Sequence, residues 1–473
     1  MIKKVTIVGG GTAGWSAAAI LSANTELNIV IIDPSSIPII GVGESTIPHI
    51  LLAHRAMGFD ELLEQNWLDY VDGTIKLTIE FADFNRVGEK WIHPFFDANG
   101  FDKNLFKRID KYNYPNTAQA AQQEFIETHS VLGKLRTQDF ISNDQWFKRS
   151  DASLVAAYHI NAVKYVELLK QKTLQRKNVV YLDKSVKEVV LDESGSIKHL
   201  RMEDDTTTTS DLFVDCTGFS AILSSKVGSE WQDASSRLFV DGALVQQFPF
   251  INKQQQLRNT TYCHALSSGW VFNIPLQSRV GTGYIVSTKY QDKDSAIKEF
   301  AKHLRTAYGY NESDIQPRWI PFKTGYRPKA WTKNVVAIGL SGMFCEPIES
   351  TAIATGHMAA ISLANALKAQ HIELDMLVSN FNESFEARVR NILTFVELHY
   401  TLSKRQDSEF WKAYSNLGLT AEQTQIIEDY KNSAKHRVTF SDALSKYQCT
   451  KGKLFDSASF ICLFAGYDIH KYN

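Results

Sequence analysis

Residues 4–15 read Lys-Val-Thr-Ile-Val-Gly-Gly-Gly-Thr-Ala-Gly-Trp, a pattern that predicts a buried strand, a tight glycine turn and the start of a helix. The glycines have GxGxxG spacing, which lets the backbone approach a diphosphate and directs a helix N-terminus at its charge. A second apolar run, residues 28–32, ends in Asp33, the position expected for an acid that binds a ribose. The segment therefore predicts the βαβ opening of a dinucleotide-binding fold.

The composition excludes several classes of protein. The 473 residues are 44% hydrophobic, which suits two or three soluble domains. Their formal net charge of −1 lacks the positive excess that is typical of nucleic-acid-binding proteins. The five cysteines are scattered and lack CxxC spacing, which argues against a disulfide framework and against a zinc site or other metal site. No run approaches the ~18 apolar residues of a membrane span, and the N-terminal apolar run is too short for a signal peptide. We therefore expect a cytoplasmic protein that does not bind membranes.

Two downstream segments favour FAD over NAD as the cofactor. Residues 211–218, Asp-Leu-Phe-Val-Asp-Cys-Thr-Gly, resemble the strand and turn that FAD-dependent monooxygenases carry far from the glycine motif. Residues 334–339 resemble the late strand that places a helix N-terminus near the flavin ring. There is no second GxGxxG for a nicotinamide coenzyme, which disfavours an NAD-dependent dehydrogenase. We expect another protein or diffusible NAD(P)H to reduce the flavin.

The remaining patterns predict that insertions split the nucleotide-binding elements. The expected elements are strand-like aromatic segments over about 75–150, a helix over about 152–175, strands at 179–182 and 186–191, antiparallel alternation over 238–290 and helices from about 352 to 432. The predicted class is α/β. A Rossmann-like FAD-binding domain of the monooxygenase type would span 1–365 and include an inserted antiparallel sheet (about 75–150 and 220–320), and a mainly helical substrate-covering region would span 366–473.

An acidic turn stands out in an otherwise apolar region. Residues 344–352 read Phe-Cys-Glu-Pro-Ile-Glu-Ser-Thr-Ala and lie between a predicted strand and a predicted helix. Burying a carboxylate costs roughly several kcal/mol unless it is paired or used in chemistry. Glu349 is therefore a candidate catalytic group, with stabilisation of the helix N-terminus as the alternative role. A structural role is favoured for Glu346.

Together with further motifs, this turn makes the chain similar to the flavin-dependent halogenases of the tryptophan-halogenase type. The resemblance covers roughly residues 3–415. The matching segments are the glycine loop at 11–15, a flavin-covering strap at 41–48 (Gly-Val-Gly-Glu-Ser-Thr-Ile-Pro), the strand 74–81 with Lys76, Tyr-His-Ile-Asn-Ala at 158–162, Gly-Trp-Val-Phe-Asn-Ile-Pro at 269–275 and the acidic turn itself.

The resemblance implies an electrophilic aromatic halogenation. Reduced FAD (FADH2), dioxygen (O2) and halide would yield hypohalous acid, which would cross an internal tunnel to Lys76. The lysine would polarise the acid as an ammonium or form a haloamine as an amine; the sequence does not choose. Glu349 would stabilise or deprotonate the cationic intermediate, and Ser350 would relay hydrogen bonds. Backbone amides near Thr351 and Ala352 would hold the halide.

The resemblance also implies ligand contacts and partners. Cofactor contacts would come from the glycine loop, the strap and later strands: Gly9, Gly11, Thr12, Ala13, Gly14, Asp33, Gly41, Gly43, Glu44, Ser45, Val186, Leu340 and Ile353. His93 and Phe95 would flank the aromatic substrate, although two packed core residues would look the same in sequence. The implied partners are a separate NAD(P)H-dependent flavin reductase and a small aromatic substrate; a homo-oligomer is compatible with the sequence.

Two departures from the family pattern bear on specificity. Phe272 replaces the second tryptophan of the Trp-x-Trp-x-Ile-Pro box, which is thought to keep the substrate away from the flavin. Ala352 replaces a glycine beside the halide site, where a methyl could change the backbone angles of the turn or crowd the anion. We expect bromide or iodide to outperform chloride because they are easier to oxidise. The C-terminal stretch 449–456 lacks obvious groups for an amino acid's ammonium and carboxylate, so an indole or phenol is expected rather than free tryptophan.

Two other functions remain open on the sequence. A flavin-dependent monooxygenase or oxidase that has lost halide use is suggested by Ala352, and product analysis without halide would separate it from a halogenase. A catalytically inactive flavoprotein that serves in binding or redox sensing is the second, and the presence of both Lys76 and Glu349 argues against it.

Overall fold

The computed structural model describes residues 2–39, 41, 44–59, 65–95, 140–147, 156–369, 371–432 and 454–469. The chain forms two compact units, each built from three segments. Unit 1 comprises Met1–Gly73, Ile160–Ala234 and Lys323–Glu386, and unit 2 comprises Thr74–His159, Ser235–Phe322 and Ala387–Asn473. The predicted domain boundary at residue 365 remains a prediction.

The strands of the described residues are numbered in chain order. They are β1 (Lys4–Val8), β2 (Asn28–Ile32), β3 (Glu44–Ser45), β4 (Thr74–Lys76), β5 (Thr78–Ala82), β6 (Lys90–Pro94), β7 (Ala157–Ile160), β8 (Val179–Leu182), β9 (Val186–Leu191), β10 (Ile197–Met202), β11 (Thr207–Thr208), β12 (Leu212–Asp215), β13 (Gln232–Asp233), β14 (Gly242–Phe248), β15 (Thr260–Ala265), β16 (Gly269–Pro275), β17 (Val280–Val286), β18 (Arg318–Pro321), β19 (Gly325–Tyr326), β20 (Trp331–Thr332), β21 (Val335–Ala337) and β22 (Met343–Phe344).

The helices are numbered in the same way. They are α1 (Thr12–Asn24), α2 (His49–Met57), α3 (Gln65–Tyr70), α4 (Asn143–Phe147), α5 (Ala162–Thr173), α6 (Lys253–Gln256), α7 (Lys293–Tyr308), α8 (Ala352–Lys368), α9 (Leu374–Thr401), α10 (Glu409–Leu417), α11 (Ala421–Asn432) and α12 (Ser457–Gly466). The helical region predicted after residue 352 is thus confirmed. Within the described part of the chain, no helix combines the length and apolarity needed to cross a membrane.

Unit 1 is built on a six-stranded sheet in the order β20-β21-β12-β1-β2-β8. The strands β1, β2, β8, β12 and β21 run parallel, and β20 is an antiparallel edge. Val5 and Ile7 are completely buried, as expected for a central parallel strand covered on both faces. The predicted βαβ opening is confirmed, and the glycine turn follows the carboxyl end of β1, where open α/β sheets bind ligands.

Unit 2 is built on a seven-stranded sheet in the order β18-β14-β17-β16-β15-β5-β6. Every neighbouring pair is antiparallel except β5 and β15, which run parallel. The predicted inserted antiparallel sheet is therefore confirmed, with one parallel pair. A long connection separates these two strands in sequence, so they are not confined to the antiparallel pairing that a hairpin imposes.

One predicted element is wrong in part. The helix expected over about 152–175 begins only at Ala162, because Ala157–Ile160 forms strand β7, antiparallel to β4. The Asn161 side chain accepts hydrogen bonds from the amides of Val163 and Lys164, an N-cap that fixes the start of α5. All four residues of β7 are buried, and a short buried run has no periodicity that distinguishes a strand from the first turns of a helix. Residues 151–155 lie outside the described residues.

Candidate active site

The glycines of the loop after β1 differ in whether a side chain would fit: two are packed against backbone, and one borders open space. Gly9 has φ +103°, and a Cβ built there would lie 2.3 Å from the carbonyl oxygen of Cys216. A Cβ on Gly14 would lie 1.8 Å from the carbonyl oxygen of Gly9. A Cβ on Gly11 would have no neighbour within 4 Å. Gly9 and Gly14 are therefore needed for packing, whereas Gly11 borders space that a ligand can occupy.

The N-terminus of α1 opens at this loop. Gly11 is the N-cap, no side chain caps the helix, and Thr12 and Ala13 form its first turn. The amides of a first helical turn have no partners within the helix and face an anion with the positive end of the dipole. The arrangement fits the diphosphate of a dinucleotide cofactor.

Asp33 follows β2 beside the glycine loop. Its carboxylate packs on the Gly10 backbone, where a Cβ would come within 1.8 Å of the carboxyl carbon. The Trp15 indole N–H donates to Asp33 Oδ2 at 3.3 Å. Burial raises the pKa of the Asp33 carboxyl, although the Trp15 hydrogen bond and the charge of Lys170 act in the opposite direction. A ribose hydroxyl that donates to this carboxylate would favour its charged form.

The turn after β12 packs against the glycine loop and is organised by Asp215. This carboxylate is fully buried and accepts from the Thr217 amide and hydroxyl at 3.1 and 2.7 Å. It also accepts from the amides of Leu223 and Ser224, at 3.0 and 2.7 Å. Asp215 therefore shapes the turn through internal hydrogen bonds, which accounts for an acid in the strand-and-turn segment that suggested FAD.

The predicted strap is described only in part. Glu44 and Ser45 form β3, and Glu44 Oε2 accepts from the amide of Ala162, the first residue of α5, at 3.0 Å. A carboxylate in this position stabilises a helix N-terminus. Gly41 lies beside it, since a Cβ there would be 3.6 Å from Glu44 Oε1. Gly43 lies outside the described residues. The structure thus gives Glu44 a local structural contact in addition to its predicted role.

The acidic turn in unit 1 is completely buried at its two glutamates. Glu346 and Glu349 have 0% exposure, and Pro347–Glu349 forms a single 3-10 turn before α8. Ser350 then adopts the left-handed region (φ +59°, ψ +37°), which costs a non-glycine residue of order 1–3 kcal/mol and is typical of functional sites. Thr351 is the N-cap of α8, and no side chain caps this helix.

The backbone at Ala352 shows whether a methyl in place of glycine strains the turn. Ala352 is the first residue of α8 and is not among the described residues with positive φ, so its methyl imposes no backbone strain. The left-handed residue of the turn is Ser350. The substitution of glycine by alanine can therefore act only through the space that the methyl occupies. The amides of Thr351 and Ala352 start an uncapped helix, the arrangement that suits a small anion.

The N-terminal half of α8 and the 3-10 turn at Gly339 pack closely on the start of α1. A Cβ on Gly339 would lie 2.7 Å from the Ala13 Cβ, and one on Gly356 would lie 3.9 Å from it. Ser16 Oγ and His357 Nε2 are hydrogen-bonded at 3.0 Å between α1 and α8, and burial lowers the pKa of His357 to about 4. Small residues therefore bring two uncapped helix N-termini into one region of unit 1.

The other predicted flavin contacts occupy different places in the fold of unit 1. Leu340 lies in the 3-10 turn Gly339–Ser341, and Ile353 is the second residue of α8, so both are in the region of the two helix N-termini. Val186 begins β9 in the β11-β10-β9 sheet and packs against an apolar core cluster. Leu340 and Ile353 thus belong to the two elements that pack on the start of α1, whereas Val186 lies in a separate sheet.

Lys76, the candidate catalytic lysine, is the last residue of β4 in unit 2. Its side chain is 0% exposed, which excludes a solvated strand lysine. Its ammonium lies 5.0 Å from the centre of the Phe95 ring, within cation–π range. Leu77 separates β4 from β5; its amide donates to the Asn259 carbonyl and its carbonyl accepts from the Phe95 amide. Desolvating an ammonium costs roughly several kcal/mol, so the surroundings of a buried lysine must compensate this cost.

His93 and Phe95 belong to an aromatic cluster with two residues that the sequence did not single out. The His93 ring lies 6.2 Å from Phe95, 5.7 Å from Phe395 and 6.4 Å from Phe455. Phe395 and Phe455 stack at 4.0 Å. The Asn391 side chain bonds both the amide and the carbonyl of Phe455 at 2.7 and 2.9 Å, which fixes this ring. Phe455 lies in the stretch 449–456, which lacks obvious groups that would bind the ammonium and carboxylate of tryptophan. Only its aromatic side chain could have indicated a place in the site.

Phe272 takes the place of the second tryptophan of the family box and has a clear packing partner. Its ring covers Gly283 on the neighbouring strand β17, where a Cβ would come within 2.6 Å of the ring edge. Trp270 lies 6.2 Å away on the same strand. Phe272 therefore supplies buried aromatic bulk at this position, with only 7% exposure.

The glycine loop yields a prediction that separates folding from cofactor binding. Gly14→Ala should lower the free energy of unfolding of the apoprotein by about 3 kcal/mol, because its methyl overlaps the Gly9 carbonyl. Gly11→Ala should leave the apoprotein stable and weaken FAD binding at least about 10-fold, because its methyl enters only the open space. Thermal melts of the apoproteins and fluorescence titration with FAD measure the two effects. Equal FAD affinity in Gly11→Ala and wild type would contradict a cofactor at this loop.

Comparison with known proteins adds independent findings. The sequence profile of the tryptophan halogenase family matches residues 4–472. The curated tryptophan 7-halogenase RebH of Lentzea aerocolonigenes is 28% identical over 486 residues, a match that covers 98% of this chain and 89% of that protein.

Solved structures give the same result for the fold. A flavin-dependent halogenase from Xanthomonas campestris superposes with a TM-score of 0.83 at 28% identity, over 99% of this chain and 90% of that one. BrvH, a flavin-dependent halogenase from a Brevundimonas species, has a TM-score of 0.80 at 26% identity, over 99% of this chain and 90% of that one.

Proposed function

Because the chain belongs to the tryptophan halogenase family and is a flavin-dependent halogenase of aromatic substrates, we propose that it halogenates an electron-rich indole or phenol through hypohalous acid delivered to Lys76. The observation that carries the proposal is the fully buried Lys76 side chain, whose Nζ lies 5.0 Å from the centre of the Phe95 ring in the aromatic cluster. Buried next to aromatic rings, this ammonium is a strong donor for a small polar oxidant. The proposal assigns to it the activation of hypohalous acid.

FAD is the cofactor that the residues of unit 1 fit best. The uncapped N-terminus of α1 and the open space at Gly11 would hold the diphosphate, and Asp33 would accept from a ribose hydroxyl. Leu340 and Ile353 would lie along the flavin. When bound in its reduced form, FAD would supply the chemistry that activates dioxygen for halide oxidation. As the family implies, a separate NAD(P)H-dependent flavin reductase would provide the reduced cofactor.

Halide would bind at the start of α8. The amides of Thr351 and Ala352 belong to a helix that no side chain caps, and the left-handed backbone of Ser350 turns the chain into this helix. A small anion there gains from amide hydrogen bonds and from the helix dipole. The Ala352 methyl takes space beside the anion without straining the backbone, so its effect would be on halide size and preference.

Glu349 would serve the aromatic substitution itself. Its carboxylate is fully buried at the end of the Pro347–Glu349 turn. A buried carboxylate stabilises a developing cation far more than an exposed one does, because the local dielectric constant is low. It would lower the energy of the cationic arene intermediate or accept its proton, and Ser350 would order the hydrogen bonds around it.

The aromatic cluster would hold the substrate. His93, Phe95 and Phe455 present ring faces and edges, which suit an electron-rich arene better than they suit an amino acid's charged groups. Phe455 joins the predicted pair because Asn391 fixes its backbone. An indole or phenol without an amino acid moiety is therefore the proposed substrate class.

A halide panel tests this function. The protein would be supplied with FAD, NADH and a flavin reductase, and with indoles, phenols and free tryptophan in separate reactions that contain chloride, bromide or iodide. We expect halogenated indole or phenol, with more product from bromide or iodide than from chloride and little from free tryptophan. Exclusive use of chloride would contradict the halide preference. Absence of halogenated product in every reaction would contradict the function.

A further inference from the structure

A buried hydrogen-bond network lies next to Lys76 on the same face of β4. Thr74 stands directly opposite His159 in the β4–β7 pair, and Lys76 stands opposite Ala157. Thr74, Lys76 and His159 are all 0% exposed. Residues two apart on a strand share a face, so His159 is the diagonal neighbour of the lysine, and the methyl of Ala157 leaves room between them.

The network fixes the protonation of the histidine. The Thr74 hydroxyl donates to the Pro275 carbonyl at 2.8 Å, so it can only accept from His159 Nδ1, 2.9 Å away. Burial, reinforced by the charge of Lys76, lowers the pKa of His159 well below its ordinary value, so the ring is neutral. Its Nε2 therefore accepts from the Thr261 hydroxyl at 2.9 Å. Both ring nitrogens are hydrogen-bonded, so the imidazole cannot rotate without losing two buried hydrogen bonds.

We call this network the clamp; it consists of Thr74, His159, Thr261 and the Pro275 carbonyl, and it links β4 to three other strands. His159 belongs to β7, Thr261 to β15 and Pro275 to β16. Thr74, two residues before Lys76, bonds His159 and the Pro275 carbonyl, and His159 in turn bonds Thr261. Among the described residues of unit 2, β4 pairs only with β7, and it ends at Lys76, one residue before β5 begins. The short strand that carries the lysine is thus held by its pairing with β7 and, at Thr74, by side-chain hydrogen bonds to two further elements of the network.

We propose that His159 is a positioning residue for Lys76: its neutral imidazole, held between Thr74 and Thr261, keeps β4 in the register that directs the ammonium at Phe95 and adds no second charge to the lysine's surroundings. The inference rests on the proposed function of Lys76. Misplacing a reacting group by about 1 Å can cost about 100-fold in rate, so a small movement of β4 would suffice to separate oxidant formation from halogenation.

The test compares two substitutions of the same residue. His159→Gln keeps a neutral group whose amide can donate to Thr74 and accept from Thr261, whereas His159→Leu keeps the volume and removes both bonds. The readout is coupling, the amount of halogenated arene formed per flavin reoxidised, with a chemical trap for released hypohalous acid. We expect His159→Gln to couple within about 3-fold of wild type and His159→Leu to lose at least about 10-fold, with trapped hypohalous acid rising in proportion.

Controls separate positioning from folding and from the function itself. FAD affinity should be similar in the two variants. His159→Leu should melt below His159→Gln because it leaves buried hydroxyls without their partner, so both are assayed at a temperature at which their melts show folded protein. If His159→Leu does not fold, Thr261→Val replaces it, since it removes one hydroxyl of the clamp at constant volume; we expect at least about 3-fold lower coupling. If the leucine or valine variant couples as well as wild type, the inference about His159 is wrong. The same holds if the glutamine variant couples no better than the leucine variant. Neither result contradicts the proposed function. A wild-type protein that forms no halogenated arene overturns the proposed function as well.

Discussion

Lys76→Met should abolish halogenation, by about 1,000-fold or more, while flavin reoxidation continues at the wild-type rate. Methionine fills the buried volume of lysine beside Phe95 but provides neither an ammonium donor nor a nucleophilic amine. Removing a donor that acts on the reacting group typically costs about 100- to 1,000-fold, and here the same group also positions the oxidant. Product formation by mass spectrometry and flavin reoxidation by absorbance would be followed in the same sample.

A matched lysine on the neighbouring sheet provides the control. Lys90 in β6 belongs to the same unit and is largely exposed, with 59% of its side chain accessible. Lys90→Met should leave both halogenation and flavin reoxidation within about 2-fold of wild type, because exposed ion pairs contribute little. Substantial halogenation by Lys76→Met would show that the buried ammonium takes no part in the reaction.

Glu349→Gln should reduce halogenation by about 100- to 1,000-fold with little change in the affinity for FAD. The substitution keeps the shape of a fully buried side chain and removes its negative charge. A carboxylate that stabilises a cationic intermediate or accepts its proton contributes about this factor. The effect should fall on the maximal rate rather than on the substrate KM, because the charge is needed only once the arene has become cationic.

Two further glutamate variants serve as controls for Glu349→Gln. Glu373→Gln changes an exposed glutamate just before α9 and should have no effect on either rate or stability. Glu346→Gln changes the other buried glutamate of the turn, for which a structural role is favoured, and should lower stability more than it lowers the maximal rate. An unchanged maximal rate in Glu349→Gln, measured at saturating arene, would remove this residue from the mechanism.

Local patterns in the sequence were sufficient for the nucleotide-binding elements. The strand before Gly9, the helix after Gly11 and the position of Asp33 depend on interactions within about 30 neighbouring residues, and they lie where the sequence predicts them. The helix misplaced over β7 shows the limit of the same reasoning. A short apolar run in the core has no periodicity to distinguish a strand from a helix, and the Asn161 cap was the better signal.

The site in unit 2 could be predicted only in part. Lys76, His93 and Phe95 lie in segments with family motifs, but Phe395 and Phe455 join them through contacts across the fold that no local pattern encodes. The same holds for the bond between Thr261 and His159, which are 102 residues apart. Residues from distant segments meet only after the sheet has formed, so sequence reasoning identifies the motif residues and misses their neighbours.

The most direct test of the central claim is the origin of the new atom in the product. The enzyme would be run with reduced FAD, an indole, bromide and isotopically labelled dioxygen, and the product would be analysed by mass spectrometry. The account predicts a brominated indole without the oxygen label, because halogen transfer breaks the bromine–oxygen bond of the hypohalous acid, releases the oxygen as water and leaves only the halogen on the ring. A hydroxylated product that carries the label, formed equally well without bromide, would contradict it and identify a monooxygenase.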